Sequence, residues 1–175
     1  LRAQYSGVGK YGKLPLSGNG VITWNTTTQN GVQQYQASLE IGALFYKTAM
    51  SSQGIVNTAG IHPQRTEEKT TGKSGTIITI DHRGKSASLA GKENAIPYDA
   101  TGQDLLTVIA QLGTYVQTQA NWRTAGEQKT FNVYRPGGLK PWRFQSQGMQ
   151  NVTFNGVSIP TVHVVQIARD GETDQ

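Results

Sequence analysis

Thr101-Gly-Gln-Asp104-Leu-Leu-Thr-Val-Ile-Ala-Gln-Leu-Gly-Thr-Tyr-Val116-Gln-Thr-Gln119 decides how the chain folds, because no other long stretch has helical spacing. Leu105, Leu106, Val108, Ile109, Leu112 and Val116 recur at steps of three and four, which winds them into one apolar stripe. Thr101 and Asp104 have capping-box spacing, with Asp in place of Glu, and a carboxylate there suits the positive end of the helix dipole. The pattern predicts a helix over about residues 102–118. Gly113 weakens its last turn by ~1 kcal/mol relative to Ala. A lone amphipathic helix must cover something, and a sheet is the partner the rest of the chain supplies.

Outward from the helix the pattern changes to period two. Tyr35, Ala37, Leu39 and Ile41 share one face of a strand, with Gln34, Gln36, Ser38 and Glu40 on the other. A polar turn over 25–31 precedes it, and Asn30-Gly31 is a strong hairpin signal. Residues 44–50 carry bulk on both faces, as a strand covered on both sides would. Strands are expected over 53–61 and 66–71, interrupted at His62-Pro63-Gln64-Arg65 because Pro cannot donate to a ladder. Residues 76–82 and 86–90 follow as short strands. After the helix come 130–134, 142–147, 152–155 and 161–168. Asp170-Gly171 reads as a turn whose return strand is missing, so the chain is expected to stop one strand early. Repeated short strands with turns between them describe an antiparallel meander, and so many strands curl. The expectation is a mainly β fold over 1–175, one domain: a single strongly curved antiparallel sheet, an open or unclosed β-barrel, with the helix packed against its concave face.

The composition agrees. Gly is 21 of 175 residues and charged residues only 15%, which fits a turn-rich β protein and excludes disorder. Cysteine is absent, which removes disulfides, zinc-thiolate sites and thiol nucleophiles. No apolar run is long enough for a spanning helix. The first residue is Leu1, as a removed signal peptide or a boundary placed upstream would leave it. Net charge is +5, which favours anionic surfaces or simply solubility.

Candidate chemistry is sparse. His62, His82 and His163 lie far apart in sequence, without metal-site spacing. Gly72-Lys73-Ser74-Gly75 lacks the earlier glycine of a phosphate loop and precedes a strand, so it reads as a turn. No carboxylate pair stands out, and no metal or cofactor is expected. Aromatic residues on strands beside Lys47, Lys140 and Arg143 could stack nucleic acid or fill a core; the core reading is preferred and no nucleic acid is expected.

Gly60-Ile-His-Pro63-Gln-Arg65, Ile78-Thr-Ile-Asp81, Gly102-Gln103-Asp104-Leu-Leu-Thr107 and Pro160-Thr-Val-His163 together resemble an exported bacterial family, domain-of-unknown-function family 3108. His82 and Thr107 depart from its Trp and Ser. The resemblance implies an exported protein of Gram-negative bacteria, periplasmic or secreted, and a fold similar to the outer-membrane lipoprotein carriers, an unclosed barrel with a helical plug. It transfers no catalytic residue.

Two functions follow as expectations. In the first, a non-enzymatic protein binds a lipid or other apolar ligand between helix and sheet. Tyr35, Leu39, Tyr46, Met50, Leu105, Ile109, Leu112, Trp142 and Phe144 would line the cavity, and Lys47, Arg65 and Arg143 would meet an anionic group. In the second, an envelope structural or assembly protein meets a protein partner through residues 24–28 or a free strand edge, with peripheral membrane contact but no spanning segment.

Overall fold

Alternation becomes burial along the strand after the Asn30–Gly31 turn: Tyr35, Ala37 and Leu39 are buried, while Gln34, Gln36 and Glu40 are exposed. The computed structural model describes residues 1–11, 14–43, 46–92 and 95–167, with the backbone alone for residues 5, 7–11 and 14–16. Leu44 and Phe45, and the Asp170-Gly171 turn, lie outside the described residues.

Eight strands form one antiparallel meander in sequence order: β1 (Arg2–Tyr11), β2 (Leu14–Gln29), β3 (Val32–Ala43), β4 (Tyr46–Asn57), β5 (Gly60–Thr70), β6 (Thr76–Asp81), β7 (Ser86–Leu89) and β8 (Ala95–Ile96). The helix α1 (Leu105–Thr118) and a 3-10 turn (Ala120–Arg123) follow. Then β9 (Gln128–Arg135), β10 (Gly138–Phe154) and β11 (Val157–Ile167) make a second antiparallel sheet, in the order β11-β10-β9. The fold is thus mainly β, with one α-helix and sheets that do not close into a barrel. Where one sheet was expected, the strands divide into two. Gln103 joins β9 through a parallel bridge with Val133, donating its N–H to Asn132 O at 2.8 Å and accepting from Tyr134 N at 2.7 Å.

Pro63 does not interrupt its strand. A register shift between Gln53 and Gly54 sets Pro63 opposite Gly54, and β5 runs through. A Cβ at Gly54 would lie 2.1 Å from His62 O, so only glycine fits there. Residues 25–29 extend β2 rather than opening the turn, and Trp24 stacks on Tyr35 at 4.7 Å instead of standing exposed. Residues 152–155 are no separate strand, because β10 is continuous to Phe154.

The helix begins at Leu105, later than expected, with Asp104 as its N-cap. The capping box closes with Thr107, not Thr101. Asp104 Oδ1 accepts from Leu106 N and Thr107 N, both at 2.9 Å. Its other oxygen accepts from Ser52 Oγ, which also bonds Tyr35 OH at 2.8 Å. One buried chain of polar groups thereby pins the helix start to β3 and β4.

The helix has two packing faces rather than one stripe. Leu106 and Ala110 pack on Tyr35, Leu39, Met50 and Ile61 of the large sheet. Val108, Leu112, Tyr115 and Val116 pack on Phe131, Val133 and Phe144 of the small sheet and on Trp122. At 3.6 residues per turn these groups lie on opposite sides of the rod. Ile109, which the stripe would bury, points between them and is 48% exposed. A third cluster joins Ile78, Ile80, Ala87, Leu89 and Ile96 to Tyr134 of β9.

Candidate ligand cleft

The two-sided packing of α1 fixes where open space lies. Beneath its first turn, around Met50, Ile78, Leu105 and Leu106, only about 20 Å³ is open, roughly the room for one water. The nine residues expected to line a cavity there are separated. Tyr35, Leu39 and Met50 belong to the cluster on the large sheet, while Leu112, Trp142 and Phe144 belong to that on the small one. Tyr46 is 52% exposed at the start of β4. The three cations are not gathered either. Lys47 pairs with Glu40 at 2.7 Å, Arg65 is bound to Glu67 through Nε at 2.8 Å and Nη2 at 2.5 Å, and Arg143 lies on the small sheet.

A cleft of about 630 Å³ opens between these elements, beside the Gln103 bridge. Ala59, Ile61 and His62 at the start of β5 form one wall, and Lys129, Phe131 and Asn132 of β9 form another. Thr101 and Gln103 line it from the loop before the helix, Gln111 and Tyr115 from the helix itself. A groove of about 320 Å³ lies on the opposite face of the large sheet. It is polar, lined by cross-strand rows such as Thr23, Ser38, Ser51 and Glu67.

The cleft mixes apolar walls with directed polar groups. Lys129 Nζ stands 4.9 Å from the Tyr115 ring centre and 5.8 Å from that of Phe131. Among the described residues no carboxylate forms an ion pair with it. Asp99, just outside the lining, is engaged by Asn132 Nδ2 at 2.6 Å and Thr101 N at 2.7 Å. Burial raises its pKa, but these bonds and those of Thr101 Oγ1 and Gly102 N outweigh it and hold the carboxyl below its usual range.

Gln103 is 5% exposed and its Nε2 donates to Ile61 O at 3.0 Å and Thr101 O at 3.1 Å. Both neighbours of that nitrogen are acceptors, so the amide orientation is fixed. Its Oε1, among the described residues, is a buried side-chain polar atom with no hydrogen-bond partner. Gln111 covers the adjoining backbone: a Cβ at Gly60, whose φ is +129°, would meet its Nε2 at 3.2 Å.

Histidines that sequence spacing kept apart are joined here. His62 and His82 meet edge to face at 5.5 Å, and His82 lies 2.8 Å from Pro63 O and 3.2 Å from Tyr98 OH. Burial, then His82, pushes the His62 pKa down, against a bond to the Ala100 backbone. Among the described residues no group of three His, Cys, Asp or Glu could hold a metal ion.

Of the residues proposed from sequence as ligand contacts, none lines this cleft. Its lining comes from four separate segments brought together by the Gln103 bridge. The one sequence signal was Gln103-Asp104 ahead of an apolar helix. No family model, curated protein or solved structure matches the chain.

Proposed function

We propose that the protein is a non-enzymatic binding protein of the bacterial envelope, holding a lipid or other largely apolar small molecule in the cleft between β5, α1 and β9. The observation that carries this reading is the cleft itself. Its volume of about 630 Å³ lies within the range of ligand sites, and Ile61, Tyr115 and Phe131 set an apolar wall beside a few polar groups. The space beneath the first turn of the helix is too small for any such molecule. A periplasmic or secreted location belongs to the same proposal and rests on the short sequence motifs around Pro63, Asp81 and Asp104.

Native mass spectrometry of protein purified without detergent tests it. A co-purified mass is expected, lost in Phe131→Asp and kept in Tyr46→Asp, which is remote from the cleft. Protein that carries nothing, and whose cleft resonances are unmoved by lauric acid or lauryl alcohol, would refute the reading.

A further inference from the structure

We infer that the free edge of β11 is a docking surface for a second copy of the chain, whose β11 pairs with it antiparallel about a two-fold axis at Val162. This surface is separate from the cleft, since no residue of β11 lines it. β11 ends the small sheet, and among the described residues only β10 pairs with it. Such an edge is ordinarily blunted by charged side chains. From Phe144 to Ala168 no residue carries a formal charge, in a chain of net charge +5. Pro160 is the one blunting device on the strand. The hairpin also carries exposed apolar side chains: Val157 is 61% exposed and Ile159 41%, beside Phe154 and Val152 of β10.

The order of residues on β11 points to the occupant. Asn155 and Gly156 both have positive φ and close a two-residue turn between Phe154 and Val157. The pair flanking such a turn exchanges hydrogen bonds, so odd-numbered residues of β11 direct their main chain to β10. Even-numbered ones, Ser158 to Gln166, direct theirs to the open edge. An occupant must therefore supply a strand, which a lipid surface does not. Outward from Val162 in either direction, β11 has the same succession of polar and apolar residues. Antiparallel pairing about Val162 sets Val157 against Ile167 of the second copy, Ile159 against Val165 and Thr161 against His163. On the other face Ser158 meets Gln166, Pro160 meets Val164, and Val162 meets its own counterpart. Every pair matches apolar with apolar or polar with polar, which favours this register. Centring on Thr161 or His163 instead sets Ser158 against Val164, or Pro160 against Gln166. Pro160 lacks an N–H, so each of its two pairs makes one bond rather than two. Charge favours a copy as well: two chains of net charge +5 repel, and this strand brings no like charges into contact.

Sedimentation equilibrium of the full chain over a range of concentrations tests this. Reversible association toward twice the chain mass is expected, little changed by added salt because no charges face each other across the strands. Val162→Lys sets two like charges at the axis and should weaken association by about tenfold or more, as should Val162→Glu. An equimolar mixture of these two variants, each shown to be folded by tryptophan fluorescence, should restore it as a heterodimer. Pro160→Val, at an exposed position, supplies the two missing donors and should tighten association by about tenfold. A chain that stays monomeric at every concentration overturns the inference, and one that floats with phosphatidylglycerol vesicles as a monomer does so in favour of a lipid surface. A dimer that Val162→Lys leaves intact, that the mixture fails to restore, or that Pro160→Val does not tighten overturns it too.

Discussion

Replacing Asp104 by Ala should cost about 3 kcal/mol, and replacing it by Asn less than about 1 kcal/mol. Two losses make up the first figure. The cap acceptor for Leu106 N and Thr107 N disappears, which costs ~1 kcal/mol at a typical N-terminus. Two buried hydroxyls each lose one partner: Thr107 Oγ1 loses its contact with Oδ1 at 3.1 Å, though it keeps its bonds to the Asp104 backbone, and Ser52 Oγ loses its acceptor, for about 2 kcal/mol more. Ser52 keeps Tyr35 OH, which limits the second loss. Asn preserves an oxygen for the cap and offers Nδ2 to Ser52, and it avoids burying a charge. Urea unfolding followed by fluorescence of the three tryptophans measures both variants. An unchanged slope with a midpoint shifted for Ala alone is the expected result. An Ala variant within 0.5 kcal/mol of the parent, or an Asn variant as unstable as Ala, would show that the Tyr35–Ser52–Asp104 chain does not pin the helix; that threshold is about the spread of neutral surface changes.

The same carboxyl sets a pH dependence. Burial raises the Asp104 pKa above 3.8, against bonds from Ser52, Thr107 and Leu106, so its contribution is full below pH 3.8 and is lost as pH rises through the folded-state value; Asp104→Asn should flatten that part of the stability profile. His62 acts oppositely: its lowered pKa means that stability falls as pH drops below 6.5, and His62→Gln should remove that fall in a urea series from pH 7 to 5. Gly54→Ala should cost about 3 kcal/mol or more, because its Cβ meets backbone at His62, and thermal unfolding would show it. Leu106→Ala and Phe131→Ala should each cost about 2–5 kcal/mol, one on each side of the helix, whereas Ile109→Ala should stay within about 0.5 kcal/mol.

Local rules exposed much of the fold. The 3.6 spacing placed the helix, and Asn30-Gly31 placed a turn in which both residues have positive φ. Alternation from Tyr35 to Leu39 named the buried face correctly. What local rules missed depends on partners distant in sequence. Pro63 reads as a breaker until a shifted register sets a glycine opposite it. Val108 and Leu106 look like members of one stripe, since periodicity records that a side chain is covered and not by what. The second sheet is invisible in the same way, because strand spacing does not say which strands pair. The cleft was least legible: Lys129, Tyr115 and Gln103 meet only through long-range packing, and each alone is an ordinary residue for its element.

Gln103 holds β9 by its main chain and β5 by its side chain. One residue therefore serves as a stitch between two plates, and the cleft is the seam that runs beside it. Widening the seam strains both ends of the stitch at once. Any molecule lodged there is a wedge whose size is felt by both plates, so occupancy and the spacing of the two halves are mechanically one variable.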